Sequence, residues 1–109
     1  MTRKEAINAY KARKPRRGAF SIRCAASGAV WVGTSTNVDT VKNRIWGELR
    51  LGGSPDKTLQ AEWNAHGEGA FAYEILAELE EDVQPLAIRD LLKEQQVHWT
   101  SLLAARTLQ

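Results

Sequence analysis

Cysteine occurs once in this chain, at Cys24, so an internal disulfide is excluded. Histidine occurs twice. No second histidine, cysteine or carboxylate stands at a ligand spacing with His66, which argues against a zinc site. No apolar run approaches the ~20 residues that a bilayer-spanning helix needs. The N-terminus is basic but has no apolar stretch of the kind that marks a secretory signal. These absences leave a chain of 109 residues that should form one domain, with a real but modest core. They make the cytoplasm the expected location. Cys24 falls on a strand face and reads as a small buried apolar residue.

What is present begins with charge. The net value of +2 hides an asymmetry: residues 1–17 hold seven basic residues against Glu5, a net +6, so the other 92 residues sum to −4. The chain therefore divides into a basic N-terminal arm, 1–17, and a body, 18–109. Thr2 can cap a helix over residues 3–14, with Ala6, Ile7 and Tyr10 as a short apolar stripe, and Pro15 ends it. Clustered basic residues suit sequence-independent phosphate contacts, and they equally suit a solvated terminus.

The body opens on Gly18–Ser35. Phe20, Ile22 and Cys24 alternate with Ser21 and Arg23, and Val30-Trp31-Val32 follows after Ser27-Gly28, a turn pair. This predicts a hairpin. With a two-residue turn, Cys24 would face Trp31 and Ile22 would face Gly33, placing Phe20, Ile22, Trp31 and Gly33 on one sheet face. A helix follows, with Thr36 or Asn37 as cap and Val38, Val41, Ile45 and Leu49 as its buried stripe. Arg44 falls at the border of that stripe, and Glu48 stands one turn on. Gly52-Gly53 ends the helix, and Ser54-Pro55 should cap and open a second one ending near His66-Gly67. Phe71, Tyr73 and Ile75 alternate as a third strand. Pro85 opens a last helix whose core face is Ile88, Leu91, Leu92, Trp99, Leu102 and Leu103, with Glu94 at its border.

Gly18-Ala19-Phe20 followed by Trp31-Val32-Gly33 resembles the paired motifs of the GIY-YIG nuclease superfamily. The segments Val41–Arg50, Trp63–Gly67, Ala70–Leu76 and Leu92–Gln95 continue in the order of its small bacterial members. The resemblance implies an α+β fold with a three-stranded antiparallel sheet flanked by helices. It also implies metal-dependent hydrolysis of nucleic-acid phosphodiesters, DNA before RNA. By that resemblance the catalytic set is Phe20, Trp31, Gly33, Arg44 and Glu94. Glu94 would hold Mg2+ or Mn2+, and Arg44 would stabilise the transition state. Arg13, Lys14, Arg16, Arg17 and Arg23 are the candidate nucleic-acid contacts. Phe20 and Trp31 stand where the family has tyrosines, and neither can take a proton from water. Gln95 competes with Glu94 for the position on the last helix. A binding module that has lost hydrolysis, or a protein-interaction role, is the alternative outcome.

Overall fold

A computed structural model describes residues 15–108; Arg13, Lys14 and the helix expected over 3–14 lie outside them. Strand β1 (Gly18–Cys24) and strand β2 (Val30–Ser35) form the hairpin. Its turn is longer than two residues. Cys24 N donates to Ala29 O at 2.9 Å, Gly28 N donates to Cys24 O at 2.8 Å, and Gly28 takes φ 77°. Pairing therefore shifts by two: Ile22 lies opposite Trp31 and Phe20 opposite Gly33. An even shift leaves every side chain on its own face, so the four residues still share one.

Helix α1 (Val41–Arg50) buries Val41, Ile45, Trp46 and Leu49, and Val38 is buried in the turn before it. Asn37 stabilises that turn, its Oδ1 accepting from the backbone N–H groups of Asp39 and Thr40. Helix α2 (Lys57–His66) starts two residues later than Ser54 would set it, because Asp56 is the cap. The buried Asp56 carboxylate accepts from Leu59 N at 3.0 Å and from the Thr58 hydroxyl at 2.7 Å. The Ser54 hydroxyl supports the cap from behind, accepting from Asp56 N. Gly67, at φ 83°, ends α2, and a single 3-10 turn (Glu68–Ala70) leads into strand β3 (Phe71–Glu78). A two-point contact from Arg50 to Glu68 fastens the end of α1 to that turn and holds the Glu68 carboxyl below its usual range.

Helix α3 (Pro85–Leu102) and strand β4 (Arg106–Thr107) complete the chain. The sheet runs β3-β1-β2-β4, antiparallel except that β4 lies parallel to β2. It is thus four-stranded and mixed rather than three-stranded and antiparallel. The added strand is two exposed polar residues long, too short to show any periodicity. The chain reverses into it at Ala104, which takes φ 51°.

The core lies between the sheet and α1–α2. Phe20, Ile22, Cys24 and Trp31 pack there against Val41, Ile45, Leu49 and Leu59. Trp46 meets Trp63 edge-on at 5.6 Å, and Trp63 meets Phe71 at 5.2 Å, linking α1, α2 and β3. Such ring pairs contribute about 0.5–1.5 kcal/mol each beyond area burial. Gly18 permits the irregular pairing of β1 with β3, since a Cβ there would sit 1.9 Å from Ala77 O. Helix α3 packs on β2 and β1 but buries none of its residues fully. Its expected core face is only a partial cover: Leu91, Leu92 and Trp99 are half-buried, and Leu102 is exposed. No helix among the described residues is long and apolar enough to cross a membrane.

Candidate functional site

Strand β4 pairs with β2 only at Trp31 and Val32, so the edge of β2 opens at Gly33. A cleft of about 210 Å³ forms there. Phe20, Gly33, Ile45, Leu59, Pro55 and Leu108 make its apolar wall, and Thr34, Arg44, Glu48, Ser54 and Gln96 its polar one. The absence of a side chain at residue 33 makes this geometry possible. A Cβ at Gly33 would lie 2.6 Å from the Phe20 ring and 2.9 Å from Leu108 Cδ2. Two carbon atoms cannot approach that closely, so any side chain at residue 33 would have to push the Phe20 ring and Leu108 aside.

Phe20 is 1% exposed and stacks on Tyr73 at 5.1 Å. Trp31 is fully buried and does not line the cleft. Its indole N–H donates to the Thr58 hydroxyl at 3.0 Å, which donates in turn to Asp56. The second motif aromatic therefore anchors the cap of α2 to the sheet, and it has no surface on which a base could stack. Tyr73 donates its hydroxyl to Val38 O at 2.6 Å. Burial, with the nearby charge of Asp39 second, pushes its pKa up to about 12, so it stands as a neutral donor rather than a base.

Arg44 opens onto the cleft with 72% of its side chain exposed, and its Nε lies 3.6 Å from Glu48 Oε1. An exposed i,i+4 pair of this kind contributes at most ~0.5 kcal/mol, so an incoming anion displaces it at little cost. Gln96 enters from α3, its amide donating to Val32 O and to the Thr100 hydroxyl. Leu108 N donates to the same Val32 carbonyl at 2.9 Å.

Glu94 does not open onto the cleft with Arg44, as its border position led us to expect. It lies along a separate shallow groove with Asp90, Lys93, Val97 and His98. At 100° per residue Glu94 and Gln96 point about 160° apart around α3, and it is the Gln96 side that meets the sheet. Gln95 does not reach the cleft either; its Oε1 accepts from Trp99 Nε1 at 2.9 Å. In the sequence Glu48 read only as a partner for Arg44 one helical turn on, and Gln96 was not singled out, since a lone helical glutamine gives no motif signal.

The basic contacts also divide. Arg16 is held by Asp39, with Glu78 3.6 Å away, and Arg17 donates to the carbonyls of Glu80 and Glu81. Both therefore fasten the start of β1 to the body. The Asp39 carboxylate, foremost through its hydrogen bond, raises the Arg16 pKa further. Arg23 is exposed and alternates onto the sheet face opposite Phe20 and Ile22. One further expectation is corrected. His66 does have ligand-type neighbours: Glu62 one turn before it and, through the fold, Cys24.

No family model and no curated protein matches the chain. Solved structures do. The catalytic domain of the homing endonuclease I-TevI is similar at 23% identity and TM-score 0.71, over 85% of this chain and 98% of that one. A mutant of the catalytic domain of the intron endonuclease I-TevI is similar at 25% identity and TM-score 0.69, over 82% and 84%. The fold is GIY-YIG-like.

Proposed function

We propose that the chain is a nuclease of the GIY-YIG type that engages nucleic-acid phosphodiesters, DNA first, in the cleft at the β2 edge. The reading is carried by Arg44: a largely exposed guanidinium on the polar wall of the cleft, in a fold shared with endonuclease catalytic domains. Its planar fork suits two oxygens of one phosphate, and charge placed there stabilises the pentavalent transition state.

The fold family implies a divalent metal. Glu94 does not fit the role, because it lies off the cleft. Glu48 fits: it is the carboxylate of the cleft wall, its side chain is 34% exposed, and its tie to Arg44 is weak. Magnesium commonly takes one or two protein carboxylates and keeps its waters. Bound by Glu48, Mg2+ or Mn2+ would supply charge stabilisation on the phosphate and leaving oxygen. The chain's own residues do the rest. Arg44 orients the phosphate, while Phe20, Ile45, Leu59 and Leu108 keep bulk water from one side. The amide of Gln96, fixed on Val32 O, holds α3 against the cleft rim. Phe20 and Trp31 offer no hydroxyl to orient the attacking water, and with Glu48 committed to the metal the proton of that water passes to solvent at the open side of the cleft.

That missing hydroxyl pair, with Gln96 rather than a carboxylate entering from α3, favours a second reading: a binding module that holds phosphodiesters without cutting them. One experiment separates the two. Purified protein is incubated with single- and double-stranded DNA and RNA, with Mg2+, with Mn2+ and with chelator, beside the variants Arg44→Ala, Glu48→Gln and Glu94→Gln. The nuclease reading expects metal-dependent cleavage, lost in the first two variants and kept at the wild-type rate in the third. Binding without cleavage selects the module. Neither binding nor cleavage on any substrate overturns both.

A further inference from the structure

We propose that Cys24, Glu62 and His66 form a zinc site that fastens the end of β1 to the last turn of α2. Each offers one ligand atom, and the three atoms lie within 4.8 Å of one another. None of the three residues lines the cleft, so this site is separate from the one assigned to phosphodiesters.

Three observations converge on a cation. The first is Glu62 Oε2, which is shut off from solvent and makes no hydrogen bond. The Glu62 side chain is 32% exposed as a whole, and this oxygen lies 3.2 Å from His66 Nε2, an ion pair only with a charged imidazole and without hydrogen-bond geometry. A buried carboxylate oxygen left in this way carries a desolvation cost that a bound cation would remove. The second is the donor set. A thiolate, an imidazole and a carboxylate suit zinc, whereas magnesium prefers oxygen throughout. Three protein ligands with water in the fourth position are a recurrent zinc arrangement. The third is the scaffold. Cys24 is pinned at the end of β1 by its N–H bond to Ala29 O and by pairing with Phe71. Glu62 and His66 share one face of α2, four residues apart, on either side of the buried Trp63.

Tetrahedral zinc with bonds of 2.0–2.3 Å holds its ligand atoms roughly 3.3–3.6 Å apart. The Glu62 Oε2–His66 Nε2 spacing of 3.2 Å is close to that, and the other separations, none above 4.8 Å, have to tighten by about 1 Å at most. His66 lies at the surface whereas the Cys24 sulfur is buried, so the imidazole is the ligand nearest solvent. Because an unfolded chain does not hold these three residues together, zinc would stabilise the folded state by mass action.

Cobalt is the spectroscopic probe. Full-length protein, stripped with chelator and kept reduced, is titrated with Co2+ and then with Zn2+. The expected result is one equivalent of Co2+ with intense tetrahedral d–d bands and a thiolate-to-cobalt charge-transfer band, all displaced by Zn2+. Zinc should also raise the Tm. Cys24→Ser should abolish the charge-transfer band. His66→Ala, an exposed change that leaves the core intact, should weaken cobalt affinity by ~10-fold or more, since even outer-shell changes cost that much. Absence of a stoichiometric tetrahedral cobalt species overturns the proposal. So does a spectrum and affinity unchanged in Cys24→Ser and His66→Ala, which would put the ion elsewhere.

Discussion

Gly33 and Arg44 carry the cleft, one by having no side chain and the other by having a long charged one. A methyl group at residue 33 would have to displace both the Phe20 ring, which is almost wholly buried and stacked on Tyr73, and the Leu108 side chain. Gly33→Ala should therefore destabilise the fold by roughly 1–3 kcal/mol, the usual cost of forcing volume into a packed interior. Urea denaturation gives the value, and a change below ~0.5 kcal/mol would show that the ring yields freely. Gly33 was legible as a site residue through the motif resemblance, and Arg44 through that resemblance together with its place at the border of a helical stripe. Trp31 was legible as a strand residue only. Its bond to Thr58 joins positions 27 residues apart, and no periodicity carries that information.

At the scale of elements, β1 and β3 followed from alternation, β2 from its β-branched and aromatic run, and α1 from 3.6-residue spacing, although Val38 lies in the turn before that helix rather than within it. Helix α3 did not follow so closely. Its leucines are spread widely enough that several faces look apolar, and each residue of error turns the reading by 100°. Glu94 was assigned by resemblance from a border position on the expected core face, whereas Gln96 lines the cleft. Contacts between elements also set a pH dependence. Tyr73 ties β3 to the turn before α1, and its pKa rises from about 10 to about 12. The folded state therefore keeps the phenolic proton where the unfolded chain has lost it. The stabilisation is complete below pH ~10 and falls away as pH rises through 12. Urea midpoints measured from pH 8 to 12 should decline more steeply for the wild type than for Tyr73→Phe. Parallel profiles would show that the hydroxyl of Tyr73 contributes no such dependence.

For the whole molecule, the central claim is that nucleic acid meets the body at the β2-edge cleft. Arg16 and Arg17 are engaged within the fold, and Arg23 faces away. Removing one phosphate contact at Arg44 should lower the log–log salt slope of binding by about 0.7–0.9 on any sequence, because such contacts position rather than specify. The most direct measurement maps the bound surface. A short DNA duplex and a short single strand are titrated into isotope-labelled protein, without divalent metal, and backbone amide shifts are followed by NMR. The account predicts that the largest changes fall at Gly33, Thr34, Arg44, Glu48, Ser54 and Leu108, and that Arg44→Ala removes them. Changes confined to the Arg23 face of the sheet or to the Glu94 side of α3, with those cleft amides unmoved, would contradict it.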